Sequence, residues 1–497
     1  MAVDPRTLPA RHPVPSFQTV ATPARKTDGP RLATGHGQFV DDINLKGMLY
    51  ARILHSPHAH ARIRRIDATR ARALPGVACV LTHEDVKRIA YTTAGQGAPE
   101  PSPYDNFVLD HKVRFVGDKV AAVAAESMAI AEEALRLITV DYEILPSVFD
   151  PAEALKPGAP VIHDETEALQ PDPAHKTLLR PYDAPKNIAA RVEAHVGDVE
   201  KGFAEADLII ENTYEMGYVQ QTPIEPHVTI TYLDEDHRLI IRTSTQVPFH
   251  CRRIVAQALA IPIQKIRVIK PRIGGAFGVK QEILNEELCA ALTLATNRPV
   301  RMEYTREEEF VASRTRHPQK IRMKTGVKRD GSITAEEMIV QANTGAYGAH
   351  SLTVPCNTGS KSLPLYRCPN IRFVADAIYT NLAVAGAFRG YGGPQGLYAM
   401  ECQMDEAAHA LGMDPLEFRR KNAIREGDSP PILRALGEGK EGYEQVITTC
   451  ALEECIERGM KEIGWTEKRQ RTPGSTAGTR KRGIGVALAM HGSGIPG

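Results

Sequence analysis

The sequence predicts an α+β protein: a small α/β unit on the N-terminal side, then a larger mixed α+β unit. Three observations lead there. Strand-like and helix-like runs follow one another in irregular order from about residue 31 onward. A stretch rich in Pro, His and Asp over 156–190 separates two groups of such runs. In the second group two Gly-rich loops, 272–281 and 386–396, each lead into a helix-like run.

Composition sets the outer limits. Of 497 residues, 42% are hydrophobic and 24% charged, an ordinary globular balance with enough apolar material for sizeable cores. The length suggests about three domains. A net charge of +1 gives no reason to expect nucleic acid or a membrane surface as partner. No run of about 20 apolar residues occurs, so no transmembrane helix is expected. Met1 to Pro5 lead into further prolines and charges rather than an apolar signal core, so a cytoplasmic location is expected. The eight cysteines are scattered and form no C-x-x-C pair. Reduced thiols are expected, with no iron–sulfur or zinc framework on this chain.

In order, residues 1–30 hold five prolines before Pro30 and read as an extended arm. Residues 31–155 read as the small unit. Strand patterns cover 48–54 and 77–81, with a short helix between them that stops at Pro75 and Gly76. Two strands over 112–125 turn at Gly117 and Asp118. A helix over 128–137 and a strand over 139–142 follow. His55, His58 and His60 could bring imidazoles together. Pro57 and the lack of acidic or Cys neighbours favour a hydrogen-bonded turn over a metal site. Residues 156–190 read as a linker.

The larger unit, 191–465, begins with a strand at 187–192. Strands at 207–214, 228–233 and 238–244 read as an antiparallel set. Helices are expected over 252–260 and, directly after the first Gly loop, over 282–297. Glu307, Glu308 and Glu309 read as a solvated helix start. Strands fill 321–342 and 371–379. Leu397, Met400, Met404, Ala407, Ala408 and Leu411 recur at helical spacing and read as core. A last helix spans 443–463. Residues 466–497 read as a polar, basic connector followed by a fresh strand at 483–490.

The first loop is Arg272-Ile273-Gly274-Gly275-Ala276-Phe277-Gly278-Val279-Lys280-Gln281. Three glycines in five residues let backbone turn tightly and approach a guest. Unpaired amides at the start of the following helix would favour an anion, such as a phosphate or an oxo group on a metal. It is no P-loop, because Lys280 stands two residues after Gly278 and Gln281 follows it. It also lacks the G-x-G-x-x-G spacing. By itself it reads equally as a turn without a ligand. The second loop, Gly386-Ala387-Phe388-Arg389-Gly390-Tyr391-Gly392-Gly393-Pro394-Gln395-Gly396, holds an Arg and an aromatic between glycines. That is more than a plain turn requires.

Both loops, with Ser244-Thr245-Gln246, the stretch from His55 to Arg62, Arg316-His317-Pro318, Asn343 to Tyr347 and Asp414 to Asn422, resemble the molybdenum-binding subunit of the xanthine dehydrogenase family. The likeness runs from about Arg31 to the end. It implies that 31–155 is a hammerhead domain and 191–465 a first molybdopterin-binding domain. It further implies that 466–497 opens a second such domain, carried elsewhere together with the glutamate that acts as general base. On that reading the chain is one part of a split protein and catalytically incomplete alone. The implied cofactor is molybdenum–molybdopterin, as the cytosine dinucleotide in bacteria. The implied partners are a second molybdopterin-binding chain, an iron–sulfur subunit carrying 2Fe–2S and a flavin subunit carrying FAD, in a dimer of heteromers. The implied reaction is hydroxylation of an electron-poor carbon with oxygen taken from water.

The resemblance also assigns residues. Gln246, Phe277 and Arg389 fall in the molybdenum environment, Gln246 as an amide donor to an oxo group. Gly274, Gly275, Ala276, Phe277 and Gly278, with Ala387, Phe388 and Arg389, match positions that line the cofactor. Tyr391 matches an aromatic that stacks on a flat ring. Gln281 and Asn357 match substrate positions where purine oxidisers carry Glu and Arg, which weakens xanthine without excluding it. N-heteroaromatics, aldehydes and aromatic thioesters stay open. Gly390 and Tyr391 stand where the carbon monoxide branch carries a Cys. A non-catalytic scaffold or cofactor-insertion partner of the same fold is the alternative from another class.

Overall fold

The computed structural model describes residues 23–94, 102–164, 183–436, 444–470, 479 and 481–491. Most of the expected N-terminal arm, linker and basic connector lies outside the described residues.

Seven strands form the larger sheet, in spatial order Ile266–Ile269, Leu239–Thr243, Val228–Leu233, Val300–Glu303, Leu49–His55, Lys119–Ala125 and Val77–Leu81. Leu49–His55 joins Val300–Glu303 in parallel, with Leu49 opposite Val300 and Ala51 opposite Met302. Strands from the two expected units therefore share one sheet. Lys119–Ala125 shows how both faces are covered. Ala121, Val123 and Ala125 pack toward Ala131 and Ala134 of helix Met128–Leu137. Ala122 and Ala124 face a second core with Leu288 and Leu292 of helix Glu286–Thr296. A continuous apolar run is what a strand covered on both faces needs.

The second sheet has the order Ile188–Val196, Ile371–Tyr379, Ile333–Gly345, Gln319–Val327 and Leu208–Met216. Helix Gly393–Ala410 packs on it through Met400, Met404, Ala407 and Ala408, all fully buried against Ile321, Met323, Met338 and Phe373. The expected stripe is core, each buried methionine contributing ~1.5–3 kcal/mol. A third, small sheet pairs Lys112–Val113, Ala61–Asp67 and Thr139–Ile144.

Several expectations are revised. Leu208–Met216 pairs with Gln319–Val327, while Val228–Leu233 pairs with Leu239–Thr243, so the expected antiparallel set is divided between two sheets. Apolar alternation fixes which face is buried, not which strand lies alongside. The last long helix begins at Leu452, not near 443. Residues 483–490 form no strand among the described residues. Their alternation is nonetheless used: Ile484, Val486, Leu488 and Met490 lie on the core of the second sheet, and Leu488 N–H donates to Glu401 Oε2 at 2.8 Å.

The run of three glutamates does start a helix, Arg306–Val311, with a reciprocal cap between Thr305 and Glu308. It is not solvated throughout. Glu309 is fully buried, its Oε1 2.6 Å from His227 Nδ1 and accepting the His227 backbone N–H. Burial would raise the Glu309 pKa, and His227 outweighs it, holding the carboxyl below its ordinary value. The histidine stretch is the hydrogen-bonded turn expected. His55 Nδ1 lies 2.7 Å from Gly117 O, and His60 Nδ1 lies 2.6 Å from Pro146 O. No cluster of three metal-ligating side chains occurs among the described residues.

Candidate functional site

The first glycine loop leaves strand Ile266–Ile269 of the larger sheet, and the second follows strand Ile371–Tyr379 of the other. They meet backbone to backbone. Gly278 has φ +105°, and a Cβ built there would stand 2.5 Å from Ala387 O and 2.9 Å from Phe388 N. Only glycine lets the chains come so close. Arg389 N–H donates to Phe277 O at 2.9 Å and ties the loops together. Phe277 itself has φ +53° and is half exposed.

Gln246 follows strand Leu239–Thr243. Its backbone N–H donates to Lys280 O at 2.8 Å, and its Oε1 accepts Gly278 N–H at 3.0 Å. That donor fixes the orientation of the amide, since only its oxygen can accept. The NH2 end is therefore the one left to donate.

The helix expected directly after the first loop begins only at Glu286. A 3₁₀ turn, Val279–Gln281, and an extended Glu282 come first. Glu286 Oε2 accepts the N–H groups of Leu284 and Asn285, at 3.1 and 3.3 Å, just ahead of that helix. A helix terminus is thus not the source of anion donors here. The loops are. The N–H groups of Gly275, Ala276, Phe277, Ala387 and Phe388 have no acceptor among the described residues.

Buried polar groups brace both loops from behind. Lys280 Nζ lies 2.6 Å from Glu225 Oε2, which also accepts Gly274 N–H at 2.9 Å. Burial pushes the Lys280 pKa down, and Glu225 opposes that. Gln221 Nε2 donates to Ala387 O at 2.7 Å. Arg316 Nη2 donates to Arg389 O at 2.9 Å, and its guanidinium stands 4.0 Å from the centre of the Phe388 ring. Sequence reasoning gave Arg316 no role and missed Gln221 and Glu225. Gln221 and Ala387 stand 166 residues apart, and no local spacing signals such a contact.

Tyr391 has φ +42°, and its hydroxyl lies 2.5 Å from both His350 Nδ1 and Thr353 Oγ1. Asn357, on helix Thr353–Ser360, packs beneath Gly392, where a built Cβ would stand 3.0 Å from its own. Its Nδ2 donates to Thr353 O at 2.9 Å, so that donor is turned back onto its own helix. Gln281 closes the 3₁₀ turn, half buried. Arg389 is exposed and forms no ion pair among the described residues; its backbone makes the loop contact. Gln246, Phe277 and Gly278 thus converge on 387–389, while Gly274 and Gly275 lie against Glu225 and Pro223. Tyr391 and Asn357 stand at the far end of the second loop, and Gln281 at the exit of the first.

An oxygen-rich anionic cofactor with a metal fits this arrangement. Loop amides supply donors, glycines allow close approach, and Gln246 presents an NH2. Known proteins agree. The aldehyde oxidase and xanthine dehydrogenase a/b hammerhead domain matches residues 34–146, and the molybdopterin cofactor-binding domain matches 180–423. An Escherichia coli K12 protein named probable hypoxanthine oxidase XdhD is 45% identical over 492 residues, covering 95% of this chain and 50% of its own length. The nicotinate dehydrogenase large molybdopterin subunit of Eubacterium barkeri is 33% identical over 456 residues, covering 91% of this chain and 99% of its own. The solved aldehyde oxidoreductase of Desulfovibrio gigas shares the fold with a TM-score of 0.76 at 28% identity, over 91% of this chain and 47% of its own. The chain spans about half the length of the XdhD relatives. The two matched domains, the full-length match to a molybdopterin subunit and the paired glycine loops give one conclusion: the chain belongs to the family of molybdopterin-binding large subunits of xanthine dehydrogenases and aldehyde oxidoreductases.

Proposed function

We propose that this chain forms the cofactor- and substrate-facing part of a molybdenum hydroxylase acting on a flat N-heteroaromatic, a purine before others. The observation that supports the cofactor part is the locked amide of Gln246 beside the Gly278–Ala387 approach. The ring part rests on Tyr391, whose hydroxyl is engaged by His350 and Thr353, so that the ring itself is what a guest meets. Relatives named for hypoxanthine, xanthine and nicotinate support it.

When bound, molybdenum–molybdopterin, as the cytosine dinucleotide, supplies the redox and oxygen-transfer chemistry. This chain's residues place and polarise. Gln246 offers its NH2 to the cofactor. The amides of Gly275, Ala276, Ala387 and Phe388 hold its oxygens. Gln281 orients a heterocycle by hydrogen bonds without adding a charge, which suits a neutral ring. Tyr391 offers its ring as a face for a flat substrate to stack on. The reading includes electron transfer to 2Fe–2S and FAD subunits, a dimer of heteromers and a cytoplasmic location.

The test is the complex purified from its own host. Stoichiometric molybdenum, with oxidation of hypoxanthine or nicotinate that takes its oxygen from labelled water, supports the proposal. A native complex without molybdenum refutes it in favour of a scaffold. Molybdenum with turnover of aldehydes alone would move the substrate to a carbonyl compound.

A further inference from the structure

We infer that Glu282, His350 and Tyr391 form a buried polar line that couples the two glycine loops and holds the Tyr391 ring in place as a substrate wall, with His350 as the positioning residue. The inference rests on the reading of Tyr391 as the surface against which a flat ring stacks.

The line begins where the first loop ends. Glu282 follows Gln281 and is fully buried. Its Oε2 accepts the hydroxyl of Thr93 at 2.7 Å and the Nε–H of Arg314. The carboxylate is thus locked and balanced by a cation. Its Oε1 lies against Gly386, the first residue of the second loop, where any side chain would collide with it. The same Oε1 stands 3.6 Å from His350 Nε2, and the His350 side chain is also fully buried. At the other edge of the imidazole, Nδ1 lies 2.5 Å from the Tyr391 hydroxyl. The two rings stand edge to face at 86°, with centroids 5.3 Å apart. Glu282 therefore touches the second loop directly at its start and approaches its tip through His350, at a distance longer than a hydrogen bond.

Tyr391 needs such a hold. It sits between Gly390 at φ +94° and Gly392 at φ +89°, with its own φ at +42°. A residue with a Cβ keeps that backbone only where its surroundings impose it. The hydroxyl is the handle, and it is spent on His350 and Thr353. Tyr391 then selects a guest by the flatness and width of the ring it can stack, while polar recognition falls to Gln281. Phenylalanine at 391 would keep the ring and lose the handle.

The experiment uses the intact complex with Tyr391→Phe, His350→Ala and His350→Asn, the last keeping a side-chain amide close to where Nδ1 stands. Trypsin cutting after the exposed Arg389, followed by mass spectrometry under native conditions, reports how firmly the loop is held. Kinetics use whichever of hypoxanthine, nicotinate and quinoline the wild type oxidises fastest. His350→Ala, which leaves the Thr353 contact in place, is expected to be cut about five-fold faster, the factor that losing one ordinary hydrogen bond gives, and Tyr391→Phe, which loses both contacts of the hydroxyl, faster still. Both are expected to lose kcat/KM mainly through KM, and His350→Asn to recover most of each loss. Cleavage of Tyr391→Phe at the wild-type rate overturns the inference, whether or not His350→Ala folds. Faster cleavage with an unmoved KM overturns Tyr391 as the wall. A wild type that oxidises none of the three overturns the proposed function instead, and the cleavage rates still decide whether the line holds the loop.

Discussion

Gly278→Ala is the sharpest perturbation of the loop junction. The added Cβ would stand 2.5 Å from Ala387 O, and ordinary contact begins at 3.4 Å. The loops must therefore part by about 0.9 Å, or the backbone must leave φ +105°. Two hydrogen bonds cross or flank the gap, Arg389 N–H to Phe277 O and Gly278 N–H to Gln246 Oε1. Each is worth ~0.5–1.5 kcal/mol. The left-handed backbone adds ~1–2 kcal/mol for any residue with a Cβ. The sum is ~2–5 kcal/mol. Gly412→Ala is the matched control: its φ is +65°, with no atom within 4 Å of a built Cβ, so only the backbone cost applies. Thermal midpoints at one scan rate, with molybdenum content of the purified complex, make the comparison. Gly278→Ala is expected to melt lower than Gly412→Ala and to lose molybdenum that the control retains. Equal melting with full molybdenum in both variants would show that the close approach of the loops does not build the cofactor site.

Three further outcomes follow from the same geometry. Lys280→Met leaves Glu225 buried without its cation and is expected to cost ~3–5 kcal/mol by denaturant titration, partly regained by adding Glu225→Gln. Gln246→Leu removes the acceptor for Gly278 N–H and the NH2 donor together; turnover is expected to fall about 10–100-fold, by steady-state assay, with molybdenum retained. Acid is expected to weaken the fold through its buried imidazoles, because burial pushes His317 down to about 3 and His60 down to about 4. Below the ordinary value near ~6.5 the unfolded chain takes up protons that the fold refuses, so stability drops as pH falls toward those values, by at most ~1.4 kcal/mol per pH unit for His317. Urea midpoints at neutral and mildly acidic pH would show it, and His60→Asn should flatten the dependence.

The loops were legible because their chemistry is local. Three glycines in five residues, and an Arg and a Tyr held between glycines, are unusual in any context, and the structure joins those two stretches. The methionine stripe on helix Gly393–Ala410 was legible because period 3.6 survives any tertiary setting. What failed was pairing and environment. Leu208–Met216 carries the same alternation whichever strand lies beside it. Glu309 looks like any first-turn acid until His227 is placed against it. The bracing by Gln221, Glu225 and Arg316 spans distant parts of the chain, and single residues announce no partner.

The sheet shared by Leu49–His55 and Val300–Glu303 bears on how the protein comes to be made. A ribosome delivers the N-terminal strands long before residue 300 exists, so Leu49–His55 must wait with one edge unpaired. Such an edge invites pairing with other chains, and a join this remote in sequence forms slowly. The hammerhead match, 34–146, thus contains a strand whose neighbour on one side lies outside it. Expressed alone it would lack the neighbour of one of its own strands, and the nascent chain has reason to need a chaperone until the second half of the sheet emerges.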